Sequence, residues 1–394
     1  MTFHHPLSFW LGTASITSGV LLHLPDYFAA GDMDYHMVGM EMGTGMLVGM
    51  ALILAGFALA AHGLVSWRDL TRPPQRGGTR LHLHAMDNAP LSATHWGLLF
   101  VLGVALIVDV MKPATLGFVV PGMRTEYGLT TGGAALLPIV ALTGTTVGSF
   151  VWGALSDRIG RRATILLASL MFIGTAICGF MPSFGWNLFM CFVMGTSAGG
   201  MLPIVYALMA ESIPAKKRGW LVVLHGGMGT VGGYLVASGL AALLEPHFAW
   251  RILWLAGLPT GLLLIVLNRW IPESPRFLLE HGRVAEAEAV MARYGVLVEK
   301  VPEEEQPTPV ASIDPSEALH GSRLLRLFRR PFLGQTLTIA SYGLGWGLVN
   351  WGFLTFVPTI LQDRGVEVGS ASRVLFQSAL LAVPGTLLVA YLYG

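Results

Sequence analysis

Long apolar runs separated by short polar stretches organise the whole chain. Residues 42–67, 88–108, 127–156, 163–210, 219–244, 331–362 and 374–394 contain no Asp, Glu, Lys or Arg. A membrane-crossing helix needs roughly 20 consecutive, mostly apolar residues, and each run reaches that length. Split at their Pro and Gly turn signals, the runs predict ten transmembrane helices, at about 7–25, 42–66, 95–121, 133–155, 163–181, 187–210, 219–243, 251–271, 332–357 and 373–393. The run 163–210 breaks at Met181-Pro182-Ser183-Phe184-Gly185 into a helical hairpin, since Pro and Gly both interrupt a helix.

Composition agrees with that pattern. Of 394 residues, 53% are hydrophobic and 12% charged, against about 25% charged in soluble domains. With a net charge of +1, no bulk field draws the chain to nucleic acid. The lipid bilayer is the partner that this composition demands. Cys178 and Cys191 lie inside apolar runs and read as packing residues.

The placement of basic residues sets an orientation. With the N-terminus inside, residues 67–94, 156–162, 211–218 and 268–331 face the cytoplasm and hold 19 of the 24 Lys and Arg, as the positive-inside rule requires. Ten spans then return the C-terminus to the same side, in a cell (inner) membrane. The chain accordingly divides into an accessory pair of spans at 1–66, a basic cytoplasmic loop at 67–94, a six-helix bundle at 95–271, a linker at 272–331 and two further spans at 332–394. The linker carries the acidic cluster Glu303, Glu304 and Glu305 and the basic stretch Arg323 to Arg330. Within it Val284, Ala287, Met291 and Tyr294 recur at helical spacing, which predicts a short amphipathic helix on the membrane surface or under the bundle.

Between the fourth and fifth spans runs Gly153-Ala154-Leu155-Ser156-Asp157-Arg158-Ile159-Gly160-Arg161-Arg162. Its glycines permit a tight turn between two helices, its acid can dock on a helix N-terminus, and its arginines hold the loop in the cytoplasm. This segment resembles, at every defined position, the cytoplasmic loop signature of the major facilitator superfamily. Glu211-Ser212-Ile213-Pro214-Ala215-Lys216-Lys217-Arg218-Gly219 resembles that family's loop after its fourth helix, and Pro272-Glu273-Ser274-Pro275-Arg276 is similar to the motif after the sixth helix of sugar porters and organic-ion carriers. The resemblance covers about residues 95–394. It implies an all-α membrane protein with a major-facilitator-type bundle, made of two extra N-terminal helices, six of the first bundle and two of the second. It also implies a cytoplasmic gating network of Gly153, Asp157, Arg158, Gly160, Arg161, Arg162, Glu211, Arg218, Glu273 and Arg276.

Charges inside the bilayer are the candidate transport chemistry. Asp109 and Lys112 lie mid-span in Ile107-Val108-Asp109-Val110-Met111-Lys112-Pro113, where each ion costs about 2.5 to 3.5 kcal/mol on the insertion scale. At i and i+3 they share a helix face and can neutralise each other. Two readings stand: a structural ion pair, or groups lining a transport cavity that take up a coupling proton or bind substrate. The segment from Asp109 to Pro121 is similar to the first helix of aromatic-acid symporters, where two acids stand three residues apart. Lys112 in place of the second acid suits an anionic substrate. His225 in the seventh span, and Trp346, Asn350 and Trp351 in the ninth, are further candidates for a substrate or proton site.

Residues 1–66 have no counterpart in the twelve-helix plan of that family. Met33, Met37, Met40, Met42, Met46 and Met50 with His36 have the soft donors of a cuprous site, but methionine is also an ordinary filler of membrane helices, and no metal site is assigned. The sequence contains no Gly-Lys-Ser/Thr phosphate loop, no His-Glu-x-x-His and no Gly-x-Ser-x-Gly. The expectation is therefore a non-enzyme without cofactor: a secondary transporter of a small organic solute such as a sugar or organic acid, working by alternating access with protons as a candidate coupling ion. The 63 residues after Pro331 hold two spans where the family's second bundle has six. That shortfall of four helices carries the alternative, a truncated, non-transporting relative acting as a membrane scaffold.

Overall fold

A computed structural model describes residues 3–65, 86–87, 89–296 and 327–393. The predicted loop at 67–94 falls largely outside the described residues, as do the Glu303 cluster and the stretch Arg323–Arg326. Among the described residues ten helical spans are long and apolar enough to cross a membrane: α1 Pro6–Met33, α2 Thr44–Leu64, α3 Ala93–Glu126, α4 Thr131–Ile159, α5 Arg161–Phe180, α6 Phe184–Ser212, α7 Ala215–Phe248, α8 Ile252–Trp270, α11 Leu333–Asp363 and α12 Gly369–Tyr393. Two short helices, α9 Pro275–Glu280 and α10 Val284–Arg293, lie between α8 and α11.

Each predicted span is present, and the spans overrun their apolar cores. Helix α3 begins at Ala93, where the Ser92 side chain and the His95 ring form a capping box, and it continues through Pro113 and Pro121. Proline removes one backbone hydrogen bond without ending a membrane helix when neighbouring protein satisfies what is freed. Span α5 changes from α-helix to 3-10 helix after Gly174. Span α11 contains a π-turn at Leu348–Phe353.

The chain forms two compact units, Met1–Leu297 with Pro358–Gly394, and Val298–Val357. In the first, α1 and α2 form a tight hairpin. Gly12 and Gly19 of α1 face Gly56 and Gly49 of α2, so closely that a Cβ on any of them would strike the opposite backbone. Small residues allow this approach, and van der Waals packing holds it where the hydrophobic effect is absent. The hairpin covers α5, with Ile16 and Ile53 over Gly174 and the His23 ring stacked 6.0 Å from that of Phe180. As a result 94% of the α5 window is buried, compared with 11% for α12. Span α12 runs along α7, with Phe376 against Gly239 and Thr386 against Gly227. The described part of the second unit is the stretch 327–357, which includes the first part of α11.

The amphipathic helix is α10, and it lies under the bundle. Ala287, Met291 and Tyr294 are buried while Val284 is 42% exposed. The Thr94 hydroxyl donates to the Arg293 carbonyl at 2.8 Å, and the Tyr294 and His95 rings meet at 4.6 Å.

Candidate functional site

Asp109 and Lys112 stand in the middle of α3 with 4% and 2% exposure. Among the described residues the two form no ion pair with each other, which goes against the structural-pair reading. Lys112 Nζ donates to the Phe172 carbonyl at 2.6 Å and to Thr175 Oγ1 at 2.7 Å, and it stands 5.6 Å from the Phe172 ring centroid. The reason lies in α5, which passes from α-helix to 3-10 helix after Gly174, and the flexible lysine stem reaches the Phe172 carbonyl at that transition. Among the described residues no cation pairs with Asp109, and its Oδ1 is buried with no hydrogen-bond partner.

Two features of the surroundings keep Asp109 distinct. Pro113 has no N–H, so the Asp109 backbone carbonyl, four residues earlier, lacks its helical donor. Tyr206 of α6 lies within electrostatic reach of Asp109, with its hydroxyl against Gly226 of α7. Sequence reasoning missed Tyr206, because nothing in a lone tyrosine of an apolar span shows which helix it faces.

His225 ties two helices together. Its Nδ1 lies 2.8 Å from the Leu221 carbonyl on its own helix and its Nε2 lies 2.9 Å from the Leu99 carbonyl on α3. In the second unit Asn350 Nδ2 donates to the Trp346 carbonyl at 3.1 Å. The Trp346 and Trp351 rings make an edge contact at 6.3 Å.

The motif residues gather around two carboxylates at one end of the first bundle. Arg161 pairs with Glu211 at 3.1 Å and with Asp157 at 2.9 Å. The Glu273 Oε1 accepts the backbone N–H of Arg161 at 2.8 Å, of Arg162 at 3.4 Å and of Ser274 at 3.0 Å. The Arg161 and Arg162 groups are the free donors at the start of α5, a ready anion site. Burial pushes the Glu273 carboxyl above its ordinary range, opposed by those N–H groups and by Arg161. Gly160, at φ +98 with a Cβ position blocked by the Glu273 carboxylate, is the turn that brings α5 to it.

Not every expected member joins this cluster. Gly153 has open space around its Cβ position, although its carbonyl accepts the Ser156 hydroxyl at 2.9 Å. Arg158 is exposed. Arg218 binds Asp87 at 2.5 Å and the Ile213 carbonyl, and Arg276 makes an exposed i,i+4 pair with Glu280. Spacing in sequence brings these residues to the same end of the bundle without joining them to the cluster, since Arg218 and Arg276 bond nearer partners and Arg158 faces solvent.

The opposite end holds a second centre that the sequence reading did not find. Arg251, fully buried, donates to Glu126 through Nη2 at 2.6 Å and Nε at 3.1 Å. Its Nη1 donates to the Gly179 and Met181 carbonyls, and the Trp250 indole donates to Glu126 Oε2 at 2.9 Å. Tyr127 and Asn187 extend the network. The signal was present only as an acid at the end of one apolar run and an arginine at the start of another.

Comparison with known proteins gives these arrangements their context. Residues 118–366 match the family described as "Sugar (and other) transporter". The chain is 27% identical over 311 residues to the niacin transporter NiaP of Acinetobacter baylyi, covering 78% of this chain and 69% of that one. It is 33% identical over 193 residues to organic cation/carnitine transporter 7 of Arabidopsis thaliana, covering 48% of this chain and 38% of that one. It is 32% identical over 211 residues to human synaptic vesicle glycoprotein 2C, covering 49% of this chain and 28% of that one. The chain thus spans about two thirds of the first relative and well under half of the other two. Among solved structures it resembles a D-xylose-proton symporter, with a TM-score of 0.53 and 18% identity over 75% of this chain and 68% of that one.

Proposed function

Since the chain belongs to the sugar (and other) transporter family, a branch of the major facilitator superfamily, we propose that this multi-pass membrane protein is a secondary transporter of a small organic solute working by alternating access. The observation that carries the reading is Asp109, a buried carboxylate with no cation paired to it among the described residues, four residues before Pro113 in a continuous membrane helix. Intramembrane acids mark ion and substrate paths. Relatives named as transporters of niacin and of organic cations and carnitine favour transport over the scaffold alternative.

In this reading Asp109 takes up the coupling proton, with Tyr206 beside it, and solute binding follows its charge state. Lys112 is held by Phe172 and Thr175 of α5, so the anion preference that its charge suggested has no free group behind it. His225 holds α3 to α7, while Trp346, Asn350 and Trp351 are the solute-contact candidates of the second unit. Residues 95–271 form the first bundle and 332–394 the start of the second, joined by the linker 272–331. The Arg161, Arg162, Glu211, Asp157 and Glu273 cluster, with Gly160 as its turn, is the cytoplasmic gate, which places the Glu126–Arg251 centre on the outer side of a cell membrane and both termini inside.

Proteoliposomes containing the full chain provide the test. Radiolabelled niacin and carnitine are offered with and without an inward proton gradient, to wild type, Asp109→Asn and Lys112→Ala. Gradient-driven uptake of either solute by wild type, with at least a tenfold loss in Asp109→Asn, is the expected result. Lys112→Ala is expected to lower thermal stability more than uptake per folded molecule. Uptake that survives Asp109→Asn under the gradient overturns the proton role of that residue.

A further inference from the structure

The amino-terminal hairpin meets the bundle in two ways. Along α5 the contact is apolar and depends on shape alone. At the Glu126–Arg251 end it is polar and specific. The backbone N–H of Met37 donates to Glu126 Oε1 at 2.9 Å, and the Tyr27 hydroxyl donates to the Phe248 carbonyl. Around these bonds the aromatic rings interlock, Tyr27 with Tyr35 at 4.8 Å, Tyr27 with Phe180 at 5.3 Å and Tyr35 with Phe248 at 5.9 Å.

The connecting segment is shaped for this contact. Asp34 and Tyr35 both take positive φ, 52 and 59, a conformation that residues other than glycine keep only where the surroundings determine it. These two residues turn the chain after α1, and Met37 arrives 1% exposed with its N–H on the carboxylate. Glu126 receives its other donors from Arg251 and Trp250. The Met37 N–H therefore adds a donor from the hairpin to a centre that already ties α3 to the end of α5, to α6 and to the start of α8.

We infer that residues 30–43 are a strap that holds the Glu126–Arg251 centre in one arrangement, so that the end of α3, the start of α8 and the hairpin move as a single body while the gate at the other end opens and closes. The accessory helices are then a fixed part of the moving half of the protein and not a separate anchor.

The test uses the full chain in lipid nanodiscs and amide hydrogen–deuterium exchange in wild type, Met37→Pro and Met37→Leu. Proline deletes the one N–H in question, whereas leucine keeps both the N–H and the side-chain volume. Exchange of amides 121–127 and 249–254 is expected to rise about tenfold in Met37→Pro, as loss of a hydrogen bond to a buried charge implies, and to stay at the wild-type rate in Met37→Leu. Tyr27→Phe, which keeps the ring and removes the hydroxyl bond to Phe248, is expected to give a smaller rise confined to 249–254. Unchanged exchange in Met37→Pro overturns the strap, and so do equal rises in the proline and leucine variants. Should the proline variant not accumulate, unchanged exchange in Tyr27→Phe has the same consequence.

Discussion

The two ends of the first bundle solve the same problem, a cluster of charges at the edge of the membrane, by opposite means. At the Glu273 end the carboxylates rest on backbone N–H groups and on Arg161, and water reaches Arg161, Glu211 and Asp157 at 12%, 11% and 71% exposure. At the Glu126 end the pair is sealed, with Arg251 at 0% and Glu126 at 3% exposure, and both Oε atoms of the acid accept bonds from protein. A cluster open to water can break and re-form at little cost. A dry one cannot, because separating its members strands an ion in low dielectric. The difference suits a gate at one end and a fixed joint at the other.

The strongest way to break this comparison is Arg251→Ala. It leaves Glu126 buried without its cation, and loss of one partner of a buried pair costs about 3–5 kcal/mol, so the midpoint of thermal unfolding in detergent should fall far more than for any change at the gate. Arg161→Ala should follow, at about 1–3 kcal/mol, since water can replace part of what Arg161 gives up. If Arg161→Ala proved the more damaging of the two in the same unfolding assay, the contrast between joint and gate would be lost.

A pH series sharpens the gate side. Burial raises the Glu273 carboxyl, so the folded protein binds that proton more tightly than the unfolded chain. The stability this group contributes is complete below the unfolded carboxyl value, about 4.3, and is lost as pH rises through the higher folded value. Across that interval wild type should lose stability with rising pH and Glu273→Gln should be flat by comparison. Parallel curves would remove Glu273 from the pH response. The smallest effect belongs to Arg276→Ala, whose exposed i,i+4 pair with Glu280 is worth less than about 0.5 kcal/mol; a larger fall in the unfolding midpoint would return Arg276 to the gate.

Reading from sequence succeeded where one chemical signal covers many residues. Membrane spans are such a signal, because lipid requires a long helix to be apolar at most of its positions, and all ten were legible. The turn at Gly160 was legible because a compact string of glycines, acid and arginines has few other uses. Pairings between helices were not. Asp109 and Lys112 share a face of α3, and only the change of α5 to a 3-10 helix after Gly174, sixty-two residues beyond Lys112, decides that the lysine turns away. Glu126 and Arg251 lie 125 residues apart, and the partner of each is fixed by the packing of α3, α5 and α8, which periodicity does not encode.

The hairpin has a consequence for how the protein sits in its bilayer. Helix α2 has 21 residues, about 31 Å at 1.5 Å per residue, close to the roughly 30 Å hydrocarbon thickness of a typical bilayer. Helix α3, with 34 residues, extends about 51 Å and must tilt or protrude. Because α1 and α2 cover α5 on one flank, the acyl chains there meet the hairpin, with the bilayer-matched α2, before they meet α5, and hydrophobic mismatch on that flank acts first on the hairpin.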